Sequence, residues 1–201
     1  MAGLALAMLG VMVFLTLFVR VGIQLRRTGE TGLIGFRSGA EPIEVLGGVL
    51  FVGGMVMGAL SAILVLRDSL EPIDALESDA IQAIGIVVAS VGGLAVFGAQ
   101  LGMGESWRIG VPDEERLDLV TGGWFSIVRN PIYTAMLVGW AGFALMVPTW
   151  LGIAAVPTIA MGLEIQVRSV EEPYLLRTHG DAFRAYATRV GRFIPGFGRL
   201  S

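Results

Sequence analysis

Four long stretches without a charged side chain dictate where this chain can fold. Ala2 to Val19, Val45 to Leu66 and Ala80 to Gly104 are three of them. A helix rises about 1.5 Å per residue, so each matches the roughly 30 Å of hydrocarbon in a bilayer. The fourth, Pro131 to Leu163, would make a helix of roughly 50 Å, too long for one crossing even with tilt. Pro148, between Val147 and Thr149 and soon followed by Gly152, is the natural place for it to fold back, because proline lacks the N–H donor and disfavours helix in the preceding residue. The expectation is an all-α fold: a polytopic membrane bundle of five transmembrane helices, the last two a tight hairpin, with an amphipathic segment after them.

Composition narrows the chemistry. Of 201 residues 54% are hydrophobic and 15% charged, and mean hydropathy is +0.74. That size accommodates one bundle without a separate soluble domain. The organisation expected is a three-helix region over 1–104 and a core over 105–201 that carries the chemistry. With no cysteine there is no thiolate catalysis, disulfide framework or cysteine-ligated metal. A single histidine, His179, argues against a histidine-rich centre, so no metal site is expected; the partners expected are membrane lipids, with no nucleic acid. All 14 basic residues are arginine, which removes the lysine of P-loop and Schiff-base chemistry.

The first run lacks a basic region before it and a small-residue cleavage site after it, so it reads as a span and not as a signal peptide. Arginines are sorted among the connections: four in 20–44 (Arg20, Arg26, Arg27, Arg37), Arg67 alone in 67–79, three in 105–130 (Arg108, Arg116, Arg129), none in the hairpin turn and six in 164–201. Five spans put thirteen of them on one side. The positive-inside rule makes that side cytoplasmic and the N-terminus external. The loop 67–79, rich in Asp and Glu, reads as a solvated outer cap. Gly54 with Gly58, and Gly98 with Gly102, have the spacing that lets helix backbones approach, within the chain or in a homodimer. Trp107 and Trp124 suit interfacial anchors.

Two segments flanking the hairpin hold the remaining polar chemistry, and a hairpin brings its entrance beside its exit. Arg129, Asn130 and Tyr133 should therefore lie near Glu164, Arg168, Glu171 and Glu172. Glu164, Arg168 and Glu172 stand four apart on one helical face, as a surface ladder or as functional charges at the membrane boundary. Pro173 is expected to end or kink that helix, leaving Glu171 and Glu172 at a break. Past Gly180, Phe183, Tyr186, Ala187 and Val190 form one stripe of a short amphipathic helix, and Gly191 to Gly198 reads as a turn-rich anchor. Thr121 and Gly122 open a flexible Thr-Gly-Gly whose backbone can approach a planar ligand.

Over its last hundred residues the chain resembles the membrane methyltransferases that include isoprenylcysteine carboxyl methyltransferase and the phospholipid N-methyltransferases. The carriers are Leu101 to Val111, Leu119 to Tyr133, Arg168 to Leu176, His179 to Val190 and Ile194 to Gly196, in the family's order and at about its spacing. The resemblance implies S-adenosylmethionine bound on the cytoplasmic side and a lipophilic substrate entering from the bilayer. It implies that Thr121, Gly122, Arg129, Asn130 and Tyr133 line the cofactor pocket. Glu171 and Glu172 match the family's paired glutamates, and Arg168, with Tyr133, falls at a position implicated in catalysis or substrate placement. Asn130 stands where many relatives have histidine. His179 is either a cofactor contact or a local cap before Gly180.

The chemistry suits these residues without help from the resemblance. Methyl transfer from a sulfonium needs no metal, and placing nucleophile and methyl together supplies up to roughly 7–11 kcal/mol. Carboxylates suit ribose hydroxyls or an ammonium, and arginine suits a carboxylate. Two alternatives stay open: a sterol-reductase-like enzyme using NADPH, and a non-catalytic lipid-binding protein. Transport is disfavoured because the spans carry no charge to bury. The acceptor is open among a prenylated cysteine, an amino-phospholipid, another lipid and a small thiol. An arginine-only, alanine- and glycine-rich composition suits a bacterial inner membrane.

Overall fold

The computed structural model describes residues 1–34, 41–110 and 118–200, so Arg37, Arg116 and Val111 of the sequence reading lie outside the described residues. Among the described residues the fold is all-helical, with two isolated bridges and no strand. Helices α1 (Ala2–Thr28), α2 (Pro42–Leu66), α3 (Asp79–Gly102) and α5 (Trp150–His179) are long and apolar enough to cross a membrane. Between the last two, α4 (Pro131–Met146) is apolar but has 16 residues. At about 1.5 Å per residue it spans some 24 Å, short of the hydrocarbon thickness, so four helices and not the expected five meet the length criterion. A short α6 (Asp181–Ala187) follows.

The hairpin turns where proline requires it. α4 stops at Met146, Pro148 is buried in the turn, and the Thr149 hydroxyl caps α5 by accepting from the Gly152 N–H at 2.9 Å. That hydroxyl also lies 2.6 Å from Ser61 Oγ of α2, and the Ile73 N–H donates to the Pro148 carbonyl at 2.7 Å. The acidic loop 67–79 is therefore docked on the hairpin turn through Ile73, which its composition did not reveal.

Two helix pairs form the body, α3 on α4 and α2 on α5, and glycine sets both. A Cβ on Gly142 of α4 would run into the Ala89 backbone of α3, and one on Gly92 into the backbone of Gly139. On the other pair a Cβ at Gly54 would stand 2.7 Å from Ile159 Cγ1, and next to it Gly58 of α2 receives the Trp140 ring of α4. Of the two glycine pairs singled out in the sequence, Gly54 and Gly58 are packed within the chain, whereas Gly98 and Gly102 only meet the Trp124 ring, at ordinary distances of 3.6 and 3.5 Å, and Gly102 is exposed. In α3 the close approach falls instead on Gly85 and Gly92, seven residues apart.

Arg20 departs from its expected place in a connection. α1 runs on through a wide π segment at Phe14–Val19, and Arg20 is fully buried in the helix. It donates to Gln24 Oε1 at 3.0 Å and to the carbonyls of Gln100 and Gly104 at 3.3 and 2.6 Å, and its guanidinium lies 4.5 Å from the Trp107 ring centroid. A buried guanidinium needs its donors satisfied, and helix-end carbonyls do this here. Trp107 is 2% exposed, so it is a core stacking partner and not an interfacial anchor. The premise that the spans bury no charge is corrected accordingly.

A second departure concerns Pro173. α5 neither ends nor breaks there but widens to a π turn over Val167–Glu171 and continues to His179, where Gly180 at φ 51° stops it. The extra residue in that turn removes the clash between the proline ring and the carbonyl four residues back. It also splits the expected stripe: Arg168 is exposed, whereas Glu172 is buried.

Thermal unfolding in detergent checks the glycine packing. Gly142→Ala is expected to destabilise by about 1–3 kcal/mol, as overpacked cores do, whereas Gly53→Ala, which meets nothing within 4 Å, leaves the midpoint unchanged or slightly raised.

Candidate functional site

Burial of Glu172 organises the end of the bundle beyond α4 and α5. Arg192 grips its carboxylate with two donors, Nε to Oε1 and Nη2 to Oε2, each at 2.8 Å. Arg129 adds Nη2 to Oε1 at 2.6 Å. The three side chains are 9% exposed or less. Hydrogen bonding to Glu172 holds the Arg192 guanidinium pKa above its ordinary value, so Arg192 stays charged. Its Nη1 also reaches Glu164 at 3.2 Å. Arg129 donates further to the carbonyls of Ala187 and Gly198 at 3.1 and 3.0 Å and to that of Val190. One clasp thus joins the entrance of α4, the π turn of α5, the end of α6 and the C-terminal tail.

Backbone pairing reinforces it. Arg129 and Asn130 donate their N–H groups to the carbonyls of Gly191 and Arg192 at 2.8 and 3.1 Å, and the Asn130 side chain adds a bond to Arg192 at 3.2 Å. The α6 stripe behaves as its pattern requires: Phe183, Tyr186 and Ala187 are buried against Leu119, Leu175 and Leu176. The Tyr186 hydroxyl donates to the Phe125 carbonyl at 2.6 Å, and burial pushes its pKa up to about 12, against the pull of Arg129, so it remains a donor.

These elements enclose a cavity of about 480 Å³. Its polar end is lined by Arg129, Asn130, Tyr133, Glu171, Glu172 and His179, with Phe183 and Tyr186 of α6 beside them. From there an apolar arm passes between the helices, past Trp140 and Phe143 of α4, Phe51 and Met55 of α2, and Leu9 and Met12 of α1. Glu171 lines the polar end and accepts a hydrogen bond from the Tyr133 hydroxyl. The two adjacent glutamates therefore differ: Glu172 is saturated by arginine, and Glu171 faces the cavity with a tyrosine partner.

Six of the residues expected at the site meet at this cavity. The other three do not line it. Arg168 is 61% exposed in its side chain and pairs with Glu164 one turn earlier, while Thr121 and Gly122 are exposed ahead of a 3₁₀ turn at Gly123–Ser126. Sequence reasoning missed Arg192, which read as one of six tail arginines. The available signal was that a glutamate next to Pro173 near a membrane boundary needs more than one cation to be buried.

Comparison with solved structures places the fold among intramembrane methyltransferases. The eukaryotic Ras methyltransferase ICMT (isoprenylcysteine carboxyl methyltransferase) superposes with a TM-score of 0.62 at 20% identity, over 98% of this chain and 69% of that one. Residues 81–182, just over half of the sequence, match the PEMT phospholipid methyltransferase family, and the chain belongs to that family. No curated protein matches it.

Unfolding of the detergent-solubilised protein separates clasp from surface. Glu172→Ala strands two buried guanidiniums and is expected to cost about 3–5 kcal/mol. Arg168→Ala, at an exposed ion pair, is expected to cost less than about 1 kcal/mol. Comparable losses in both would contradict the assignment of Glu172 as the buried keystone.

Proposed function

We propose that this membrane methyltransferase uses S-adenosylmethionine and methylates a lipophilic acceptor. The observation that carries the reading is the two-ended cavity, polar where α4, α5 and α6 meet and apolar where it enters the bundle. A charged, nucleoside-bearing donor suits the first end and a lipid the second.

The donor set fits such a molecule. Glu171 and Tyr133 suit ribose hydroxyls or an ammonium, Asn130 and His179 offer further polar contacts, and the rings of Phe183 and Tyr186 suit a planar base. When bound, S-adenosylmethionine supplies an activated methyl group on a sulfonium. The chain's own part is to bind, orient and exclude water, which is the larger share of such a reaction. Arg129 and Glu172 act as positioning residues, since their charges are spent on each other and on Arg192. That commitment also weighs against the NADPH-using alternative, which calls for cations at the cofactor's extra phosphate. Arg168, outside the cavity wall, is assigned no contact with the reacting groups. The excess of arginine in the segments around the site supports a cytoplasmic placement for it.

The acceptor class proposed is a membrane lipid or lipid-modified group. The family's name points to phospholipids and the ICMT likeness to prenylated cysteine, and the apolar arm suits the tails of either.

Calorimetric titration of the purified protein with S-adenosylhomocysteine tests the donor assignment. Saturable binding is expected, weakened about 10- to 100-fold by Glu171→Gln through loss of a charge-assisted hydrogen bond. Absence of binding by folded protein overturns the reading.

A further inference from the structure

The tail from Arg192 to Gly198 folds into a tight hook. The Arg192 N–H donates to the Phe197 carbonyl at 2.9 Å and the Phe197 N–H to the Ile194 carbonyl at 3.0 Å, with Gly196 at φ 81° allowing the bend. The hook is held in place: a Cβ on Gly191 would collide with the Ile194 carbonyl, and Leu200 N–H closes back on Ala187 at 3.0 Å. Yet Ile194 is 59% exposed and Phe197 72% exposed. Two large apolar side chains on a fixed hook are a costly arrangement in water, because their rigidity prevents them from folding away.

The height of the hook says what covers them. Phe193, the residue before Ile194, packs onto the cluster of Trp140, Ile159 and Leu163 in the body of α4 and α5. Its carbonyl accepts from Thr134 Oγ1, in the first turn of α4, at 2.9 Å. The chain therefore dips back beside the apolar part of the bundle after leaving it. Arg189 and Arg199, both exposed, lie on either side of the hook in sequence, the arrangement of an interfacial segment whose cations meet anionic headgroups. On the segment bridged to Gly191 through Val128, Ile127 is also exposed.

We propose that the hook is an interfacial membrane anchor, with Ile194 and Phe197 inserted into the leaflet nearest the site and the flanking arginines at its headgroups. The occupant of this face is lipid. The same stretch supplies the Gly191 and Gly198 carbonyls and the Arg192 guanidinium to the clasp, so the leaflet braces the site from outside. This surface is distinct from the donor pocket, and its test does not depend on methyl transfer.

The cysteine-free sequence makes the test direct. Phe197→Cys and, separately, Ile194→Cys each take one nitroxide label, and Arg184→Cys on the exposed side of α6 serves as the aqueous control. With each protein in nanodiscs of phosphatidylcholine and phosphatidylglycerol, relaxation of the label by dissolved oxygen is compared with relaxation by a water-soluble nickel chelate. Oxygen is expected to dominate at 194 and 197 and the nickel chelate at 184. Nickel relaxation at both hook positions equal to the control overturns the proposal, as does dipolar broadening between labels, which would put a second copy on this face.

Discussion

Everything at the working end of this protein hangs on one buried carboxylate. Glu172 sits between Arg192 and Arg129, and through them it fixes the tail, the end of α6 and the entrance of α4 against α5. The arrangement holds together because most of the remaining donors are met, Arg192 Nη1 by Glu164 and the two Arg129 Nη groups by the carbonyls of Ala187, Val190 and Gly198, while buried Arg129 Nε has no partner among the described residues. A half-satisfied version would be worse than an apolar core. The π turn makes it possible by placing Glu172 inward while its neighbours turn elsewhere. The consequence for Glu171 is equally definite: released from any structural ion pair with these arginines, it meets Tyr133 on the cavity wall.

The bundle behind the site follows a different rule. Lipid gives helices little hydrophobic reason to associate, so backbone approach through glycine takes over, as at Gly92 against Gly139 and Gly54 against Ile159. The tightly packed helix pairs leave the apolar arm of the cavity between them, and α1 closes it with side chains, Met12 lying directly on Gly93 of α3. On the same side of the bundle as the clasp, Arg20 ties α1 to the end of α3 and to the Trp107 segment. Two buried guanidinium networks therefore frame the cavity, one built on a carboxylate and one on carbonyls and an aromatic ring.

How much of this the sequence revealed depended on whether a feature was local. The hairpin turn was legible because Pro148 is a local breaker, and the meeting of Arg129, Asn130 and Tyr133 with Glu171 and Glu172 followed from the hairpin alone. The stripe of Phe183, Tyr186 and Ala187 was legible from its period. Long-range choices were not. Nothing in the one-dimensional pattern distinguishes Gly85 and Gly92, which meet a backbone, from Gly98 and Gly102, which meet a tryptophan ring. Pro173 signals a disturbed helix but not whether it breaks or widens. Arg20, Arg168 and Arg192 look alike in sequence and differ only in the partners that tertiary structure brings: helix-end carbonyls, Glu164 one turn earlier, and buried Glu172.

The proposed function puts a methyl donor at the polar end of the cavity and a lipid acceptor in its apolar arm. The most direct measurement incubates membranes containing the protein with S-adenosylmethionine tritiated on its methyl group, followed by organic extraction. Tritium is expected in the lipid extract, lost with Glu171→Gln and retained with Arg168→Ala. Tritium confined to the aqueous phase, or transfer into lipid that is indifferent to Glu171, would contradict the proposed function.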